Sequence, residues 1–206
     1  VETINIGNGN RDPFEHGRLG GLIGYLENNK ETEKVTIKNS SVKGFTANGL
    51  SNMGGLVAYI KLDEEKAGFE FINDSVEGTI NGGIDGTGGF VGKMDGEKTK
   101  TGNVLFENCF AKVDVGLIDY NSRYGDVFLC LGGFAGILRA SDVKDCYATG
   151  YIKGLTAAGG FAGTITDSTV TGSYATGKVD TPAAGNGGGF AALIGNSTVN
   201  TCYAKG

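Results

Sequence analysis

Six copies of one short pattern constrain this chain more than any other feature. The pattern is Gly-Gly, a large apolar residue, a smaller apolar residue, then Gly or Ala. It begins at Gly20, Gly54, Gly88, Gly132, Gly159 and Gly188, giving spacings of 34, 34, 44, 27 and 29 residues. A recurrence of 20–50 residues means a solenoid, propeller or array in which each unit covers its neighbour's core. The large residues of the anchor are Leu22, Leu56, Phe90, Phe134, Phe161 and Phe190. Four positions later stand Leu26, Ile60, Met94, Leu138, Ile165 and Ile194, so both columns are expected to face inward.

Each anchor is followed by a second half that aligns on Val42, Val76, Ala111, Ala148, Ala175 and Ala204. Five residues earlier the column is apolar throughout: Ile37, Phe71, Phe106, Val143, Val170 and Val199. Four residues later come Thr46, Ile80, Val115, Ile152 and Val179, whereas the position just after the aligned residue is always polar. Period-two alternation predicts strands with one face in the core, and the Gly and β-branched content opposes helix. The expected fold is therefore all-β, a parallel β-solenoid of about six repeats over 20–206 with inserted loops, after a leading segment at 1–19.

The column three before Ala148 reads Asn39, Asn73, Asn108, Asp145, Gly172 and Thr201. These residues form turns and tolerate left-handed backbone, so a corner is expected there. The residue after the large anchor position is also apolar: Ile23, Val57, Val91, Ala135, Ala162 and Ala191. A strand apolar on both faces is normally covered on both, which predicts a flanking loop, domain or second chain over that side. Segments 93–104 and 116–131 account for the longest spacing and are expected to project as loops, leaving the fold indifferent to deletion of 119–126.

Gly133-Phe134-Ala135-Gly136 with Asp145-Cys146-Tyr147-Ala148-Thr149-Gly150, and nearly as closely residues 160–177, resembles the GLUG motif. The resemblance covers 20–206. The first two units depart from it, with Ser41 and Ser75 in place of aromatic residues and six more residues between their halves. GLUG repeats are known from large bacterial surface proteins, including adhesin-like proteins and the amino-terminal regions of IgA-specific metallopeptidases. The resemblance implies a β-solenoid on an exported protein, extracellular or at the cell surface, and implies no reaction. The peptidase activity of such proteins belongs to a separate zinc domain, and no His-Glu-x-x-His occurs here.

Chemistry is sparse. One histidine, His16, removes a His-rich metal site and a Ser-His-Asp triad, and it is expected on the surface of the leading segment. Asp63-Glu64-Glu65, with Lys61 and Lys66 beside it, has the composition of a solvated loop. A net charge of −5 argues against nucleic acid as a partner, and no apolar run is long enough to span a membrane as a helix. No column collects the paired carboxylates that glycan-cleaving β-helices need. No catalytic, cofactor or metal residue is assigned. Cys109, Cys146 and Cys202 share one repeat position while Cys130 lies outside it, and the first three are expected buried and unpaired. The sequence opens at Val1 without a secretory leader, as expected of a mature protein or a segment of a longer one.

One column carries the candidate contact surface. Phe110, Tyr147, Tyr174 and Tyr203 precede the aligned Val/Ala position, so alternation turns them outward, unless a bulge or loop covers them. The expected function is a non-catalytic adhesion or stalk module contacting a protein or carbohydrate on another cell or matrix. The alternatives are a self-assembling structural protein, end to end or through the apolar anchor face, and more remotely a polysaccharide-processing β-helix.

Overall fold

The computed structural model describes residues 3–5, 17–49, 51–83, 85–96, 103–116, 129–182 and 185–206. Over these residues the chain is the expected parallel β-solenoid, with no helix among them. Six rungs each contribute strands to four parallel sheets. The first sheet ends on the leading Gly of each anchor and contains Gly17–Gly20, Ser51–Gly54, Gly86–Gly88, Cys130–Gly132, Ala157–Gly159 and Asn186–Gly188. The second follows the Gly-Gly corner with Ile23–Leu26, Val57–Lys61, Val91–Asp95, Ala135–Arg139, Ala162–Thr166 and Ala191–Gly195. The third holds Val35–Lys38, Phe69–Ile72, Val104–Glu107, Ser141–Lys144, Thr169–Thr171 and Thr198–Asn200. The fourth holds Ser41–Gly49, Ser75–Gly82, Phe110–Gly116, Tyr147–Thr149, Tyr174–Thr176 and Tyr203–Lys205, joined by Ile152–Lys153, Val179–Asp180 and Thr3–Asn5.

The register is the one that the repeat spacing predicts. Gly20, Gly54, Gly88, Gly132, Gly159 and Gly188 pair in one row, and Val42, Val76, Ala111, Ala148, Ala175 and Ala204 in another. Repetition therefore becomes stacking of like on like. In the core, Phe90, Phe134, Phe161 and Phe190 form a ladder with ring centroids 4.8 Å apart, and Phe106 meets Phe90 and Phe134 edge-on. Each such ring pair adds about 0.5–1.5 kcal/mol to its area burial.

The two glycines of the anchor are required by close approach. A Cβ on Gly88 would lie 2.1 Å from the Val91 carbonyl oxygen of its own rung, and one on Gly89 would lie 2.1 Å from the Gly133 oxygen of the next. The chain folds back on itself here at backbone contact distance.

That corner also corrects the expectation of an outer cover. Leu56 and Val57 both donate their N–H to the Phe90 carbonyl, at 2.9 and 3.1 Å, and the same double donation recurs on the neighbouring rungs. One carbonyl thus serves two successive N–H groups at a bend in the chain, where strict alternation does not hold. The small column joins the core rather than facing out: Val57, Val91, Ala135 and Ala162 are fully buried within the same apolar cluster as the Phe ladder. No loop, domain or second chain is needed over them.

Three further differences have local causes. Gly44, at φ 62°, inserts a residue in the first rung, so Ala47 rather than Thr46 pairs with Ile80. The insertion drives Phe45 into the core opposite Gly78, where a Cβ would come within 2.3 Å of the ring. Rungs four to six turn between the second and third sheets on one left-handed residue, Ala140, Asp167 or Asn196 (φ 51°, 51° and 47°), where the first two rungs use the loops 27–34 and 62–68. That is where the extra residues go. The insertions are also narrower than expected, because Lys93–Asp95 and Val104 lie in strands, as do Gly116, Cys130 and Leu131. Residues 97–102 and 117–128, with them the 119–126 deletion, fall outside the described residues, as does His16.

On the outermost rungs most columns have a neighbour on one side only, although Thr3–Asn5 pairs with Thr46, Ala47 and Asn48 of the first. Leu22 and Ile194 are each 53% exposed, Phe190 is partly buried, and Cys202 is partly buried rather than buried as expected.

Candidate contact surface

The corner between the third and fourth sheets positions the aromatic column. Asn39, Asn73, Asn108, Asp145, Gly172 and Thr201 all adopt positive φ, between 49° and 63°, as their turn-forming character predicts. Amide stacking between them is slight: Asn73 Nδ2 reaches Asn39 Oδ1 at 3.4 Å. The next residue points inward and the one after it outward, so the aromatic ring leaves the corner on the outer face.

Phe110, Tyr147, Tyr174 and Tyr203 pair in register and stack with centroids 4.8, 5.0 and 5.0 Å apart and planes within 7° of parallel. The first three are half-buried by their neighbours, and Tyr203 is 56% exposed. No bulge turns them inward. Ser41 and Ser75 continue the column below Phe110, where Lys112 Nζ lies 5.1 Å from the ring centroid and 3.7 Å from Glu77 Oε1. Burial raises the pKa of Tyr147, with Glu77 adding to it, and burial with the flanking tyrosines raises that of Tyr174. Both phenols therefore stay protonated and able to donate at neutral pH. Because the rings stack face to face, the outer surface presents ring edges and phenol oxygens, and the faces without a stacked ring are those at the ladder's two ends, on Phe110 beside Lys112 and on Tyr203.

The inward member of the corner forms a ladder that the sequence reasoning missed. Ser40, Asp74, Cys109, Cys146, Ser173 and Cys202 follow the left-handed residue on successive rungs. Cys109 N–H donates to Cys146 Sγ at 3.4 Å and Cys146 N–H to Ser173 Oγ at 3.2 Å. Ser141, Ser168 and Ser197 repeat the arrangement at the other corner. The thiols are free, as expected, but they act as hydrogen-bonding corner groups and not only as small apolar fillers. The signal was present: Ser and Cys alternate at one position after a turn former.

A second outer cluster was also not anticipated. Arg18 lies 4.6 and 4.5 Å from the ring centroids of Tyr25 and Tyr59, and Tyr59 Oη donates to Asp95 Oδ2 at 3.2 Å. Lys93 bridges Asp85 and Asp95 at 2.6 and 3.2 Å. These charges are mutually paired, and among the described residues no group of three metal-ligating side chains converges.

Residues 154–180 match the model of the GLUG motif. In the fold this GLUG unit is one full turn of the coil: it runs through Ala157–Gly159, the Gly159-Gly160-Phe161 corner, Ala162–Thr166 and Thr169–Thr171 to Tyr174 and Val179–Asp180. The neighbouring rungs pair with this unit in the register described above. No curated protein and no solved structure matches the chain.

Proposed function

We propose that this chain is a non-catalytic adhesion or stalk module of an extracellular, cell-surface bacterial protein, contacting a protein or carbohydrate through Phe110, Tyr147, Tyr174 and Tyr203. The observation that carries this is the half-exposed ring ladder on the otherwise polar outer face of the fourth sheet. A soluble solenoid gains little from exposing such a row, and exposed apolar rows mark contact surfaces. The support for a non-catalytic role is the mutual pairing of the outer charges described above. Stacking consumes the ring faces, so a glycan would be held by hydrogen bonds to the phenol oxygens, with face stacking at Tyr203.

The test is the double variant Tyr147→Ser with Tyr174→Ser, copying Ser75 on the second rung. Outward rings contribute about 1 kcal/mol each through stacking, so the melting temperature should fall by only a few degrees. Binding to glycan arrays and cell surfaces should be lost. Unchanged binding by the double variant would retire the ladder as the contact surface.

A second reading is end-to-end self-assembly, in which neighbouring copies would continue the register of the four parallel sheets. Side-by-side assembly through the anchor face has little support, because Val57, Val91, Ala135 and Ala162 of that face are buried within the four inner rungs.

A further inference from the structure

Asp74 interrupts the corner ladder of the second rung. Among its column neighbours, Ser40, Cys109, Cys146, Ser173 and Cys202 each give their hydroxyl or thiol proton to the carbonyl two residues back, at 3.1–3.4 Å. That carbonyl has room for two donors: Lys144 O accepts Asn108 N–H at 3.1 Å together with the Cys146 thiol at 3.2 Å. The equivalent acceptor in the second rung is Ile72 O, which takes Asn39 N–H at 2.9 Å. An ionised aspartate has no proton to add to it.

The Asp74 side chain is 0% exposed. Its Oδ1 accepts Ser40 N–H at 2.7 Å, and its Oδ2 has no partner. Ser40 of the first rung and Cys109 of the third flank it in the column. The charged side chains of the same corner, Lys38, Lys43, Glu77 and Glu107, stand at outward-facing positions, and among the described residues no cation pairs with Asp74. A buried anionic oxygen with no donor is costly enough that the group takes up a proton instead.

We propose that the protonated form of Asp74 is the one that completes the ladder, by donating to the Ile72 carbonyl, and that its ionisation is a pH-sensitive element that weakens the stacking of the first two rungs. Burial pushes its carboxyl above the usual aspartate range, while hydrogen bonds from the Ser40 and Ile72 backbone and from the Ser40 side chain pull less strongly the other way. An acid raised on folding stabilises the fold fully below its unfolded pKa, about 3.9, and that contribution is lost as pH rises through the folded value.

Urea denaturation of wild type, Asp74→Ser and Asp74→Asn from about pH 4 to 8 tests this. Serine already fills the column at Ser40 and Ser173, and the Asn amide supplies both an acceptor and a donor. Both variants should gain on wild type as pH rises, with the ratio of folding constants increasing about tenfold or more. A ratio that is flat with pH, or that falls, overturns the proposal. A carboxyl ¹³C titration of Asp74 in the wild-type chain reads the same group without substitution. A midpoint above that of the unfolded chain supports the assignment, and one at or below it refutes it.

Discussion

At the residue scale the corners decide what is tolerated. Cys146 accepts the Cys109 N–H and donates to the Lys144 carbonyl, and Ser173 does the same work one rung on. Cys146→Ser should therefore stay within about 1 kcal/mol of wild type, whereas Cys146→Val should cost about 1–3 kcal/mol by leaving a buried N–H without its acceptor. Chemical denaturation of the two variants measures the difference. Burial, with Cys109 beside it, holds the Cys146 thiol well above the ordinary cysteine range, and burial raises the partly exposed Cys202 as well. Thiolate and access govern reaction together. A thiol reagent applied to the folded chain should thus modify Cys202 before Cys109, Cys130 or Cys146, as peptide mapping would show.

At the element scale the two aromatic ladders stack with almost the same geometry and differ in what surrounds them. Phe134 has a ring on either side in the core and meets Phe106 edge-on, while Tyr174 has a ring on either side and solvent outside. Phe134→Ala should cost about 3–5 kcal/mol, because the fixed rung spacing keeps the cavity from collapsing. Phe190→Ala, on a rung stacked from one side, should cost less than half as much; equal losses measured by denaturation would show that the rungs are not stacked in this order. The same spacing explains the hydrogen-bonded corners. Parallel rungs about 4.8 Å apart bring each side chain within reach of the next backbone N–H. A Ser or Cys after a left-handed residue thus finds a partner without any change in the chain path.

At the scale of the whole molecule, stability is a sum over rungs and the contacts between neighbours. The outermost rungs lack one such contact, which is why Leu22 and Ile194 are exposed while Leu56 and Ile165 are fully buried. If the last rung drives end-to-end assembly, sedimentation velocity should show species growing with concentration, and Ile194→Lys should abolish them. A monomer at all concentrations would leave the contact-module reading alone. Charge along the rungs bears on the same choice. Across such a junction Lys205 and Lys43 would occupy the same column, and like charges facing each other weaken the contact.

The sequence alone determined the rung count and, outside the Gly44 insertion, the strand register; alternation turned Phe110, Tyr147, Tyr174 and Tyr203 outward but left open the bulge or covering loop that only the structure removes. Each of these follows from a period that the chain prints directly: about thirty residues between rungs and two along a strand. It also marked the left-handed corner, since Asn and Asp recur there. Only the tertiary structure decided that Val57, Val91, Ala135 and Ala162 belong to the core, because two N–H groups sharing one carbonyl on the next rung break the alternation that local pattern assumes. It alone showed that ring faces are spent on each other and that the Asp74 oxygen is left without a donor. These depend on distances between rungs, which join residues about thirty apart in sequence and are invisible to any window along the chain.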